Sequence, residues 1–163
     1  MKRPNFIISI VALILVLSVG GCSSGLSDAK LAYNDGNNSY QQGLYAEAIQ
    51  YFDKAIQLDP NDALAYGIRG VSYSELGQHQ KAIIDYDKAI QLNPDDADAY
   101  TGRGASYIHL DQHQNALEDF DKAIQLDPNN PWGYNNRGWA YHELGIASNA
   151  QQDWDKARSL DIE

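Results

Sequence analysis

The chain has 163 residues, of which 44% are hydrophobic and 21% are charged, a balance typical of one folded domain rather than of a disordered segment. It carries 22 acidic and 12 basic residues, for a formal net charge of −10 at pH 7. This charge, together with the lack of any basic run in the sequence, excludes a protein that binds nucleic acid or holds anionic lipid headgroups by charge.

The first 21 residues have the pattern of a secretory signal peptide. Lys2 and Arg3 come first, an apolar run from 6 to 19 follows, and small residues end it. The run is shorter than the roughly 20 residues that a membrane-spanning helix needs. The segment Val-Gly-Gly-Cys at 19–22, where the predicted signal peptide ends, resembles the lipobox of bacterial lipoproteins. In that family the cysteine is acylated and becomes the new amino terminus.

Cys22 is the only cysteine of the chain, so no internal disulfide can form, although the pattern predicts export. A leftover free thiol or an uncleaved anchor is the alternative to acylation. Acyl chains would hold the protein on a bilayer without a spanning helix. The resemblance implies a lipid-anchored protein of the bacterial cell envelope, with residues 22–28 as the acylated cysteine and a tether. Ser23 is similar to the outer-membrane sorting signature of Gram-negative lipoproteins, which implies the periplasmic face of that membrane.

After residue 28 the sequence repeats with a period of 34 residues. Pro60, Pro94 and Pro128 each end a near-copy of one phrase, which reads Asp-Lys-Ala-Ile-Gln-Leu-Asp-Pro at 53–60. A fixed period of this length indicates a stack of like units rather than one globular core. Apolar and small residues recur at steps of three and four, which predicts two amphipathic helices in each unit.

Turn and cap residues predict where these helices begin and end. Between units, Asn or Asp at 61–62, 95–96 and 129–130 predicts N-caps, and Pro131 suits the first turn of a helix. Within each unit, one residue tolerates the left-handed conformation that ends a helix. These residues are Gly43, Gly77, Asp111 and Gly145.

A large-against-small pattern predicts how the two helices of one unit pack. A glycine on the first helix allows close approach, and an alanine and an aromatic residue on the second helix fill the space. The positions are Gly36, Gly70, Gly104 and Gly138, then Ala48, Ala82, Ala116 and Ala150, then Phe52, Tyr86, Phe120 and Trp154.

This pattern resembles the tetratricopeptide repeat, and the resemblance covers residues 29–163. It implies an all-α fold, a right-handed α-solenoid of four helix-turn-helix units. The first unit departs from the others, as expected of a terminal repeat. The fourth has Gln151 and Arg158 where earlier units have apolar residues, so we expect it to be terminal and self-capping. The expected units are 29–62, 63–96, 97–130 and 131–163.

The resemblance also implies a function, a scaffold that binds other proteins. In tetratricopeptide arrays the first helix of each unit lines a concave groove, which holds peptide segments of partner proteins. Basic residues are scarce at these positions, so the carboxylate clamp of one well-known subclass is not expected. The groove positions carried over to this chain are Tyr33, Asn37, Tyr40, Ile68, Val71, Thr101, Ala105, Trp132, Asn135, Asn136, Trp139 and His142.

Trp132 and Trp139 lie two helical turns apart, with two asparagines between them. Aromatic rings beside amides suit peptides and also sugar rings. A glycan- or small-ligand-binding lipoprotein is therefore the alternative function, and ordinary packing is a third interpretation of the two rings. Gly67 and Gly102 leave the middle of the groove bare, either to make space for a ligand or to permit tight helix packing.

No catalytic motif occurs, neither a phosphate-binding glycine loop nor a nucleophile elbow. We therefore expect no enzyme activity, no cofactor and no metal. His109 and His113 are four apart, but Asp111 lies between them at a turn, which argues against a shared ion. Charged pairs such as Asp85 with Lys88 are expected to lie on the surface of the outer helices.

Arg69, Arg103 and Arg137 occupy the same position in three successive units. Such a ladder could bind anions, since guanidinium groups recognise carboxylate and phosphate. It could instead pack its aliphatic stems between helices, with the charge held by a neighbouring Asp or Glu. Recurrence in every full unit favours the second interpretation, because ligand contacts vary between repeats.

Overall fold

The computed structural model describes the backbone of residues 21–160 and the side chains of residues 25–160. Over this part of the chain eight α-helices follow one another and no strand occurs, which confirms the all-α prediction. The helices are α1 Gly21–Gln41, α2 Tyr45–Leu58, α3 Ala63–Glu75, α4 His79–Leu92, α5 Ala97–Ile108, α6 His113–Leu126, α7 Pro131–Glu143 and α8 Ala147–Leu160.

The helices pack in sequential pairs. α1 packs on α2, α3 on α4, α5 on α6 and α7 on α8, and the second helix of each pair packs on the first helix of the next. The first helices also touch one another in sequence, α1 with α3, α3 with α5 and α5 with α7. The first helices therefore form one layer of the array and the second helices form another.

A residue with left-handed backbone conformation follows the first helix of each pair, as the sequence predicts. The backbone φ angle is +74° at Gly43, +70° at Gly77, +58° at Asp111 and +74° at Gly145. Next to Gly77, the backbone N–H of Gln78 donates to the carbonyl of Tyr73 at 2.8 Å, which is the hydrogen bond of a Schellman motif.

Side-chain caps begin three of the first helices. Asp62 accepts from the N–H of Ala65 at 3.1 Å, and Asn130 accepts from the N–H of Trp132 at 3.0 Å. Asp96 caps α5 in the same way. Each cap satisfies a donor that the first turn of a helix leaves unpaired, so these residues fix where the next unit starts.

The core of each unit has the predicted large-against-small packing. Phe52 and Phe120 are fully buried, and the alanines opposite them are buried as well. A Cβ atom added at Gly104 would lie 2.7 Å from the Phe120 ring, and one added at Gly138 would lie 2.6 Å from the ring of Trp154. The glycines are therefore required for the close approach of the two helices.

Apolar contacts also cross each unit boundary. Ile56 packs against a buried cluster that includes Ala65 of the second unit, and Ile90 packs against one that includes Ala99 of the third. At the corresponding position of α8 lies Arg158, which is exposed together with Gln151. The described residues leave this last face uncovered, and its polar residues limit the apolar area in contact with water.

Only part of the amino-terminal segment lies within the described residues. The described part of α1 starts at Gly21, and residues 22–28, predicted as the acylated cysteine and a tether, are helical. Each residue added to an existing helix gains a hydrogen bond, which favours this extension of α1 from its buried Ala29. Residues 1–20 of the predicted signal peptide and the predicted acylation of the Cys22 side chain lie outside what the structure describes. Within the described residues no helix is long and apolar enough to cross a membrane.

Candidate functional site

A cavity of about 640 Å³ runs along the layer of first helices, and we call it the central cavity. All four pairs contribute to it, because the first helices lie side by side. It brings together six of the predicted groove residues, Tyr40, Val71, Thr101, Ala105, Trp132 and Asn136. The remaining lining residues are Ser74, Glu75, Tyr86, Asp98, Gly102 and Asn130.

The floor of the central cavity is set by Tyr86, a buried residue of α4. A Cβ atom added at Gly102 would lie 2.6 Å from the Tyr86 hydroxyl oxygen and 2.5 Å from the adjoining ring carbon. Tight packing therefore explains Gly102. At Gly67 a Cβ atom would meet nothing within 4 Å, so the space there is open.

The charged groups of the central cavity are all acidic. Glu75 ends α3 and Asp98 stands in the first turn of α5, and both are exposed. Burial raises the pKa of the Tyr40 and Tyr86 hydroxyls, and the negative charge of Glu75 raises it further. No Lys or Arg is among the described residues that line the cavity, so it has no basic group that could clamp a carboxylate.

Some predicted groove residues lie away from the central cavity. Tyr33 packs edge-on against Phe52, with ring centroids 5.8 Å apart, and lines a separate cavity of about 200 Å³. Ile68 packs against the buried cluster that forms the core of the first unit. Asn37 is half-buried on α1 and is not among the residues that line the central cavity.

A second cleft of about 560 Å³ lies between α7 and α8, on the face that the described residues leave uncovered. We call it the terminal cleft. Trp132 and Trp139 both line it and are 65% and 51% exposed, and Trp132 belongs to the central cavity as well. The other lining residues are Pro131, Asn135, Gln151, Trp154, Ala157 and Arg158.

An aromatic cluster forms one wall of the terminal cleft. The rings of Trp139 and Trp154 lie 5.6 Å apart in an edge-to-face arrangement, and His142 lies 5.9 Å from each ring. The sequence identified Trp154 only as a core residue, because it occupies the position of Phe120 in the repeat. Its contact with the cleft arises because no later helix among the described residues covers it.

The arginine ladder is structural, as the recurrence favoured. Arg69 donates from Nε and Nη2 to both oxygens of Asp85, at 2.7 and 2.6 Å, and from Nη1 to Asp53 at 2.5 Å. Arg103 bridges Asp119 and Asp87 in the same way, and Arg137 bridges Asp153 and Asp121. The guanidinium groups are therefore occupied by carboxylates of two successive second helices.

The prediction that Asp85 is a surface residue paired with Lys88 is wrong. Asp85 is 3% exposed and faces Arg69, whereas Lys88 donates to Gln91 at 2.9 Å. Burial raises the pKa of Asp85 more than the Arg69 guanidinium lowers it. Burial lowers the pKa of Arg69, but the carboxylates of Asp85 and Asp53 raise it by more. Arg69 therefore stays protonated at any ordinary pH and supplies the positive charge of the pair.

The histidines do not form a metal centre in the described residues, which contain no group of three potential ligands. His109 instead stacks on His79 of the preceding unit, with ring centroids 4.2 Å apart and planes 7° from parallel. Sequence reasoning missed this pair, since His79 aligns in the repeat with His113. The pKa of His79 is lowered by burial and by the charge of His109.

Comparison with known families agrees with this architecture. The family model of the tetratricopeptide repeat matches residues 29–62, 63–96 and 97–130, and a second tetratricopeptide repeat model matches residues 120–158. Paired helices stacked along one axis, with a cavity on the side of the first helices, define a helical repeat protein. Within that class, the chain belongs to the tetratricopeptide repeat proteins.

Solved structures and a curated protein resemble it as well. A crystal structure of MamA is 30% identical and has a TM-score of 0.78, with 83% of this chain and 79% of that chain covered. The first tetratricopeptide domain of Spaghetti (RPAP3), bound to the HSP90 peptide SRMEEVD, is 28% identical with a TM-score of 0.71, covering 73% and 94%. Hsp70-Hsp90 organizing protein 1 of Arabidopsis thaliana is 43% identical over 42 residues, which are 26% of this chain and 7% of that protein.

Proposed function

We propose that this protein is a lipid-anchored scaffold of the bacterial cell envelope, which binds a peptide segment of a partner protein in its central cavity. Its four helical pairs form a right-handed solenoid, and its action is recognition without covalent chemistry. The single observation that carries the proposal is the central cavity, which four units line and which leaves Trp132 65% exposed. Support comes from the RPAP3 structure, whose tetratricopeptide domain holds a peptide.

The central cavity is tested by capture of envelope proteins on the immobilised chain. Trp132→Ala should abolish most of the capture, because an exposed aromatic ring in a binding site is a typical hot spot. Ile84→Ala is the matched control, since Ile84 is 66% exposed but lies on the outer helix α4. Equal capture by both variants would show that partners bind elsewhere.

The anchor is tested separately at Cys22. Cys22→Ser should lose the mass of the acyl chains and leave the membrane fraction, because the resemblance implies that these chains are attached to the cysteine and hold the protein on the bilayer. The measurements are membrane fractionation and the intact mass of the chain. A variant that differs from the wild-type mass only by the Cys-to-Ser change, and that stays with the membrane, would contradict lipid anchoring.

Glycan binding is the second candidate function, and the terminal cleft is the observation that favours it. Two exposed indole rings there stand beside the amides of Asn135 and Gln151, a combination suited to the faces and hydroxyls of a sugar. Titration with soluble cell-wall fragments should give a saturable change of tryptophan fluorescence that Trp139→Ala removes. If the fluorescence of the wild-type protein does not change during the titration, glycan binding is contradicted and peptide binding is the one candidate function that remains.

A further inference from the structure

We propose that the occupant of the central cavity is a cationic peptide segment, whose lysine or arginine side chains pair with Glu75 and Asp98, two acids that line the cavity. This inference rests on the proposed peptide-binding function and adds the chemistry of the partner. It is specific to this chain, because it follows from the charged groups that line this particular cavity. Three features of the cavity support it: two unpaired carboxylates, the end of a helix and an exposed indole ring.

The two carboxylates have no basic partner in the described part of the chain. The buried acids Asp85 and Asp119, by contrast, are each paired with an arginine of the ladder. Glu75 and Asp98 form no ion pair within residues 25–160, and no described Lys or Arg lines their cavity. A ligand with positive charges would supply an ion-pair partner to both carboxylates.

The position of Glu75 strengthens the preference for a cation. It is the last residue of α3, where the helix dipole concentrates partial negative charge on the terminal carbonyls. A carboxylate at this end adds to that charge and raises the cost of leaving the site empty. A bound ammonium or guanidinium group offsets both contributions.

The apolar surface beside the carboxylates suits the rest of such a side chain. Val71 and Ala105 line the cavity and offer contact to the methylene stem of a lysine or arginine. The exposed indole of Trp132 offers a cation–π surface in the same cavity. A segment that alternates basic and apolar residues would use both surfaces, whereas an acidic segment would meet like charges and the chain's net charge of −10.

A random peptide library displayed on phage, selected on the whole protein, tests this inference. The enriched sequences should contain Lys or Arg beside an aliphatic or aromatic residue. A synthetic peptide of the enriched sequence should bind about fivefold to tenfold more weakly to the double variant Glu75→Gln/Asp98→Asn. The binding should also weaken as salt is added, because the attraction is partly between exposed charges.

The control is the double variant Glu47→Gln/Glu118→Gln, which removes the same charge from exposed residues of the second helices α2 and α6. It should keep the wild-type affinity. Equal weakening of both double variants would overturn the inference in favour of general charge attraction. Enrichment of acidic or neutral peptides that still need Trp132 would overturn the cation preference alone. A selection that enriches nothing would overturn both this inference and the peptide-binding function.

Discussion

At the scale of single residues, one arginine joins three helices. Arg69 lies on α3 and donates to Asp53 on α2 and to Asp85 on α4, so it joins the first unit to both helices of the second. The side chain of Asp53 is 54% exposed and that of Asp85 is 4% exposed. Water can replace the guanidinium group at Asp53, but Asp85 depends on it for both of its oxygens.

Replacing Arg69 should therefore destabilise the fold far more than replacing its exposed partner. Arg69→Ala leaves the Asp85 carboxylate buried and unpaired, and we expect the free energy of unfolding to fall by about 3 kcal/mol. Asp53→Ala removes only an exposed ion pair and should cost less than about 1 kcal/mol. Urea denaturation followed by circular dichroism measures both changes, and equal losses would contradict the distinction.

At the scale of helices, glycine occurs on the first helices of the units for different reasons. The sequence predicted the close contact at Gly104, because the glycine and its aromatic partner recur together in every unit. It left Gly67 and Gly102 undecided between ligand space and packing. The answer depends on the ring of Tyr86, which reaches from α4 to α5 and fills the space over Gly102. Nothing in the spacing of the repeat shows how far a particular ring reaches into the next unit.

The two glycines give a matched pair of substitutions. Gly102→Ala places a Cβ atom against the Tyr86 ring, so the free energy of unfolding should fall by about 1 to 3 kcal/mol. Gly67→Ala meets open space within a helix and should stabilise the protein by up to about 1 kcal/mol. Thermal or urea unfolding compares the variants, and a destabilised Gly67→Ala protein would show that the space is needed.

At the scale of the whole molecule, the array is a row of units that interact with their neighbours. The period of the sequence predicted all eight described helices in four pairs, because capping, turn and core residues recur with it. It did not predict contacts between residues of different register, such as the stack of His79 on His109. It also predicted that Asp85 lies on the surface, whereas the residue is buried against Arg69. A recurring acidic residue is usually solvated, and the sequence does not show that an arginine of the neighbouring helix pairs with it.

The histidine stack should make the stability of the array depend on pH. His79 has a folded-state pKa below its ordinary value of 6.5, because burial and the charge of His109 disfavour protonation. The unfolded chain therefore binds more protons in this range, so stability is full above about pH 7 and is lost as the pH falls through 6.5. His79→Gln should reduce the difference between urea midpoints measured at about pH 7.5 and about pH 5.5.

A histidine outside the stack supplies the control for this experiment. His142 lies among the rings of Trp139 and Trp154, in the last unit. His142→Gln should retain the pH-dependent difference that His79→Gln reduces. A wild-type midpoint that is the same at both pH values would contradict a role for the stack.

Trp132 lines both the central cavity and the terminal cleft, so ligands that use its indole at the two sites would be thermodynamically linked. A ligand that turns this indole toward one site removes it from the other, so two ligands would compete without overlapping. Linkage is reciprocal: each ligand must weaken the other by the same factor. Occupancy of one site by its ligand would then set how readily the protein releases a ligand from the other.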